Sequence, residues 1–121
     1  MPRAKAKKVV RLGITATTIA TGVGLLNFGL NLSRQINYPN GEAAAYNNIG
    51  TIHYYTGNNT MALSNFLSAV KILEKEKGAR TKSWLFEKQI SVAYNNIGTI
   101  YQRQKAYVLA EEYFRKSISI D

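Results

Sequence analysis

Cysteine is missing altogether, histidine and tryptophan occur once each, and proline occurs twice in 121 residues. Without cysteine there are no disulfides, no thiolate metal sites and no cysteine nucleophile. The lone His53 cannot build a histidine-rich metal cluster, and no acid or second histidine stands at ligand spacing from it. Acid is also scarce, with 7 Asp+Glu against 16 Lys+Arg and a net charge of +9. The imbalance is uneven along the chain. Arg3, Lys5, Lys7, Lys8 and Arg11 precede any acid, and the first acidic residue is Glu42. A basic, acid-free leader therefore precedes a region of nearly balanced charge. Glu111 and Glu112 are adjacent, so on a helix they point about 100° apart and do not form an acid/base pair. No glycine-rich phosphate loop, nucleophile elbow or metal-ligand spacing occurs. The residues point to no catalytic group, no metal and no cofactor, and the chain reads as a non-enzyme.

Between Arg11 and Arg34 lies an uncharged run, Leu12 to Leu32. As a helix it would be about 31 Å long, close to the thickness of a bilayer's hydrocarbon core. Eleven of these 21 residues are aliphatic, Ala or Phe; the others are four Gly, four Thr and two Asn. On a helical wheel Gly13, Ala16, Ala20, Gly24, Asn27 and Asn31 share a sector of about 80°, a small-residue face suited to close helix packing. The remaining sectors, with Ile19, Val23, Leu26 and Leu30 among them, would suit lipid. The expectation is a single transmembrane helix over 12–32, behind a basic tail (1–11) and before a linker (33–41). The excess of basic residues ahead of the run places the N-terminus inside (cytosol, stroma or matrix) and the following domain on the opposite side of the membrane. A cleaved targeting leader and a helix lying at an interface are the alternatives.

Tyr38-Pro39-Asn40-Gly41 supplies turn chemistry. Beyond it, Ala45-Tyr46-Asn47-Asn48-Ile49-Gly50-Thr51-Ile52 recurs identically as Ala93-Tyr94-Asn95-Asn96-Ile97-Gly98-Thr99-Ile100, an offset of 48. Internal repetition of this kind marks stacked supersecondary units. Residues 42–121 resemble the tetratricopeptide repeat (TPR), a 34-residue helix-turn-helix. The first unit matches at Tyr46, Ile49, Gly50, Gly57, Ala62, Phe66 and Ala69. The second matches at Tyr94, Ile97, Gly98, Tyr101, Tyr107, Ala110 and Phe114, with Ser117 in place of a small Ala. In that pattern Gly50 and Gly98 allow the helices of a hairpin to approach, and Phe66 and Phe114 fill the gap between them. Gly57-Asn58-Asn59 reads as the turn, with Thr60 as the N-cap. The 14 extra residues of the offset are accommodated by longer helices, since Phe86, Ile90, Ala93 and Ile97 continue one helical face. The expected fold is all-α: a transmembrane helix followed by two TPR-like antiparallel hairpins.

The resemblance also implies a groove, because the first helix of each hairpin lines a surface that receives partner segments. Asn47, Asn48, Thr51, Tyr54 and Tyr55 would line it from the first unit. Asn95, Asn96, Thr99, Gln102 and Arg103 would do so from the second. The alternative is that the paired Asn residues brace neighbouring helices. Two repeats leave apolar end faces, with Tyr107, Tyr113, Phe114 and Ile118 near one of them, that call for a cover. The functional expectation is a membrane-anchored interaction subunit that assembles, stabilises or docks onto a multisubunit membrane complex, photosynthetic or respiratory by analogy. Its partners would be protein subunits and lipid, with a second copy of the chain also open. The competing reading is a soluble or peripheral peptide-binding adaptor whose leader is removed. Nucleic acid is not an expected partner, because Met1–Lys8 carries no aromatic residue for stacking.

Overall fold

The computed structural model describes residues 16–76 and 84–119. It contains five helices there: α1 (Ala16–Gln35), α2 (Pro39–Tyr55), α3 (Asn59–Glu76), α4 (Trp84–Arg103) and α5 (Tyr107–Ile118). Helices α2 and α3 form one antiparallel hairpin and α4 and α5 a second, with α3 and α4 packed between them. Helix α1 lies against α2 and extends the array by one element.

Three of the interhelix turns are the same object. At the end of α1 the Tyr38 N–H donates to Ser33 O (2.8 Å) and the Asn37 N–H to Arg34 O (3.2 Å). At the end of α2 the Asn58 N–H donates to His53 O (2.8 Å) and the Gly57 N–H to Tyr54 O (3.1 Å). At the end of α4 the Ala106 N–H donates to Tyr101 O (2.8 Å) and the Lys105 N–H to Gln102 O (3.0 Å). This is the Schellman pattern, which needs a left-handed residue after the helix. Asn37 (φ 53°), Gly57 (φ 80°) and Lys105 (φ 62°) fill that place. The next helix then begins two residues later each time. At the start of α3 the cap is Asn58, whose Oδ1 accepts from the Met61 N–H (3.2 Å), rather than Thr60. A Cβ in the left-handed region costs about 1–2 kcal/mol. Lys105→Gly is therefore expected to raise stability by about 1 kcal/mol, read as a shift of the urea midpoint at constant slope.

Alanines at the contacts and aromatic side chains beside them set the helix spacing. The core cluster comprises Ala43, Ala62, Phe66, Ala69, Val70, Leu73, Phe86, Ile90, Ala93, Tyr94, Ile97 and Ile100. Phe66 lies across Gly50, where an added Cβ would sit 2.8 Å from its ring. Phe114 lies across Gly98 at the same separation. Ser91 and Ser117 clip α4 to α5, each hydroxyl donating to the other residue's carbonyl at 3.0 Å. The small residue at position 117 thus adds a polar bond to close packing. The lengthened first helix of the second unit is α4, whose additional turn carries Phe86 into the core beside Ile90.

The membrane span is corrected by the structure. No helix of the described residues is long and apolar enough to cross a membrane. Helix α1 has the length, about 30 Å for its 20 residues, but its Thr, Gly and Asn residues dilute its hydropathy. The single-pass topology with the N-terminus inside has no span among these residues to rest on. Gly13 and the rest of 12–15 lie outside the described residues. Part of the α1 surface assigned above to lipid instead faces the protein, although Leu25, Phe28 and Leu32 remain exposed. Ile19, Val23 and Leu26 are half-buried and Leu30 is buried. A Cβ added at Gly22 would lie 3.7 Å from Ile52 Cδ1 of α2. The spacing of 19, 22, 23, 26, 29, 30 and 33 is that of one continuous stripe on a helix packed against a neighbour. An ion pair fixes the α1–α2 corner: Arg34 Nε lies 3.3 Å from Glu42 Oε1, and the Arg34 guanidinium also donates to the Tyr46 hydroxyl.

Candidate functional site

Helices α2 and α4 run parallel and side by side, tied at both ends. Near their starts Gln89 Nε2 donates to Asn40 O (3.3 Å). Near their ends Arg103 Nη1 donates to Tyr54 O (3.2 Å) and to Asn59 Oδ1 (2.9 Å), with its guanidinium carbon 3.7 Å from the centre of the Tyr54 ring. The identical octets of the two repeats therefore sit next to each other, and their equivalent residues share one face.

The ten groove residues divide by environment. Asn48, Tyr55, Asn95 and Gln102 are exposed, while Thr51, Tyr54, Asn96 and Thr99 are half-buried. The Thr51 and Thr99 hydroxyls turn back onto their own helices, donating to Asn47 O (2.8 Å) and Asn95 O (2.9 Å). Tyr54 and Tyr55 meet edge to face at 5.3 Å. Arg103 is exposed but engaged with Tyr54 and Asn59, so it joins the repeats. Asn47 is buried, and its carboxamide oxygen has no hydrogen-bond partner. An unpaired buried acceptor costs about 1–3 kcal/mol. The two repeats thus use equivalent residues differently: Asn47 is enclosed, whereas its counterpart Asn95 is exposed.

The α4 face also carries two exposed apolar residues that the octet comparison does not pick out, Leu85 (43% exposed) and Val92 (45%). They share a sector of about 100° with Asn95, Thr99 and Gln102. Extending the helical wheel backwards from Asn95 would have found them. The small-residue face of α1 is also outward: Ala20, Gly24, Asn27 and Asn31 are exposed, and a Cβ at Gly24 would meet nothing within 4 Å. The side chain of Ala16 lies outside the described set. His53 is half-buried, and desolvation lowers its pKa from the usual value. Among the described residues no three His, Cys, Asp or Glu side chains come together as a metal site.

Two family models, each described as a tetratricopeptide repeat, match residues 43–78 and 91–121. The first match covers α2 from Ala43 onward and all of α3, and the second covers most of α4 and all of α5. Together they take in more than half of the chain. The chain belongs to the tetratricopeptide-repeat family. Comparison with curated proteins and with solved structures gave no significant match. Tetratricopeptide repeats suggest a role in protein–protein interaction, and in the TPR arrangement α2 and α4 are the first helices of their repeats. Helix α1 falls outside both matched segments and acts as an additional packing element.

Proposed function

We propose that this TPR chain is a peptide-binding adaptor whose α2–α4 face receives an extended segment of a partner protein. The observation that carries this reading is the composition of the exposed α4 stripe. Leu85 and Val92 offer apolar contact, and Asn95 and Gln102 offer amide donors and acceptors for a partner's backbone. Asn48 and Tyr55 extend the same surface onto α2. Surfaces that pair apolar area with a few placed amides suit peptides, because the amides fix register while burial supplies affinity. The face lacks a dense ring of basic side chains, so its ligand would be held by backbone bonding and apolar contact more than by charge. The alternative of a membrane-anchored assembly subunit relied on a span that no helix among the described residues supplies, and it is not carried forward.

Phage-displayed random peptides selected on the full chain test the proposal. Val92→Glu combined with Asn95→Lys is expected to weaken the selected peptides at least tenfold, with the circular dichroism melt unchanged because both side chains are exposed. Equal affinity of every selected peptide for the double variant would sink the α2–α4 site.

A further inference from the structure

On the other side of the molecule, α3 and α5 border an open cleft of about 550 Å³. Its walls are Leu67, Val70, Lys71 and Lys75 from α3 and Lys116 from α5. Tyr94 of α4 and Tyr113 of α5 lie between them, with ring centres 6.0 Å apart. The Lys116 ammonium sits 4.9 Å from the Tyr113 ring centre and 5.7 Å from that of Tyr94. Lys71 and Lys75 are one helical turn apart, so both project along the same edge. Neither forms an ion pair among the described residues. Against these three cations the cleft contains one carboxylate, Glu74. Glu74 lies close enough to both phenols, and Glu112 to Tyr113, to oppose their ionisation. Burial foremost, and then Glu74, push the Tyr94 phenol up to about 12. Burial, followed by Glu112 and Glu74, raises Tyr113 as well. Both phenols therefore remain protonated near neutrality.

A second trough of about 440 Å³ runs along α3 past Leu63, Ser64 and Ser68 and shares Leu67 and Lys71 with the first. From Thr60 to Lys75 the combined channel follows α3 for about 22 Å. That length suits an extended peptide of about six or seven residues. The channel is apolar at Leu63, Leu67 and Val70 and cationic at the Lys71–Lys75–Lys116 end.

We propose that the α3–α5 cleft is a second peptide-docking site, distinct from the α2–α4 face, for a partner segment that places an acidic side chain beside aliphatic ones. The carboxylate meets Lys71 and Lys116, and the aliphatic residues lie over Leu67 and Leu63. Charge complementarity selects the acidic end, because an anion entering between three ammonium groups over low-dielectric ring faces is attracted more strongly than on an open surface. The apolar floor selects a peptide over a nucleic-acid strand, which would need a run of cations spaced along its phosphates.

The test uses the Val92→Glu variant, so that peptides dependent on the α2–α4 face are depleted. Random peptides displayed on phage and selected on this full-length variant should converge on Asp or Glu adjacent to Leu or Ile. Their affinity should fall at least tenfold when Lys71→Glu and Lys116→Glu are added, and the amide resonances of Leu67 and Tyr113 should shift on binding. Three results would each overturn the site: no enrichment, enrichment without an acidic preference, or equal binding after charge reversal. Failure here leaves the α2–α4 proposal standing, because that proposal is read with a different variant.

Discussion

Phe66→Ala is expected to destabilise the protein by about 3–5 kcal/mol, the largest effect of any single truncation in the array. Phe66 is 1% exposed, belongs to the main core cluster and fills the contact between α2 and α3 over Gly50. Removing its ring abolishes the transfer gain of a fully buried aromatic and leaves a void between helices whose backbones cannot close it. A small domain has about 5–15 kcal/mol in total, so the variant would stand near the edge of folding. The equivalent residue in the second hairpin gives an internal control. Phe114 makes the same approach to Gly98 but is only half-buried. Solvent can enter the space that Phe114→Ala opens, and the cost should be about half as large. Urea denaturation with an unchanged slope measures both. An equal or larger loss for Phe114→Ala would mean that the first hairpin is not the better-packed unit.

The second large effect concerns the glycines beneath those rings. Ala in place of Gly within a helix ordinarily gains about 1 kcal/mol of propensity. At Gly98 the added Cβ would lie 2.8 Å from two ring carbons of Phe114 and 3.2 Å from the carbonyl oxygen of Ala110. Overpacking costs about 1–3 kcal/mol, and the bulkier Gly98→Val should lose about 3 kcal/mol net. At Gly50 the three nearest atoms all belong to the Phe66 ring. The two sites should therefore respond differently to compensation. Phe66→Leu should restore part of the stability lost in Gly50→Val, because a shorter side chain removes the obstruction. Phe114→Leu should restore less in Gly98→Val, since the backbone of α5 still blocks the new methyl groups. Equal rescue in the two double-mutant cycles would show that α5 can move away from α4 freely.

The repeat was legible because its constraints are local and recur. Octet identity located α2 and α4, and helical spacing of Ala62, Phe66, Ala69, Val70 and Leu73 located α3. The Gly–Phe contacts followed from the family pattern, and the structure places both. Turns were legible only in part. Gly57 advertises a left-handed residue, but Lys105 occupies the same conformation with nothing in its side chain to announce it. Of the candidate groove, the exposed Asn48, Tyr55, Asn95 and Gln102 could be placed on the wheel. The engagement of Arg103 with Tyr54 could not, since it depends on how two helices 49 positions apart in sequence are aligned.

Helix α1 marks the boundary most clearly. Its uncharged run and helical length were fixed by residue order, yet the same stripe of Ile19, Val23, Leu26 and Leu30 is suited to lipid or to a neighbouring helix. Periodicity defines an apolar face without naming what covers it, and tertiary packing assigns that face to α2. Residue order alone accounts for the helices, the duplicated hairpin and the small-to-large contacts inside it, because each depends on a few neighbouring residues. Tertiary structure decided which faces were buried, how equivalent asparagines came to differ, and where three lysines and two tyrosines meet. Those outcomes depend on the relative placement of separate helices, which local residue order does not encode.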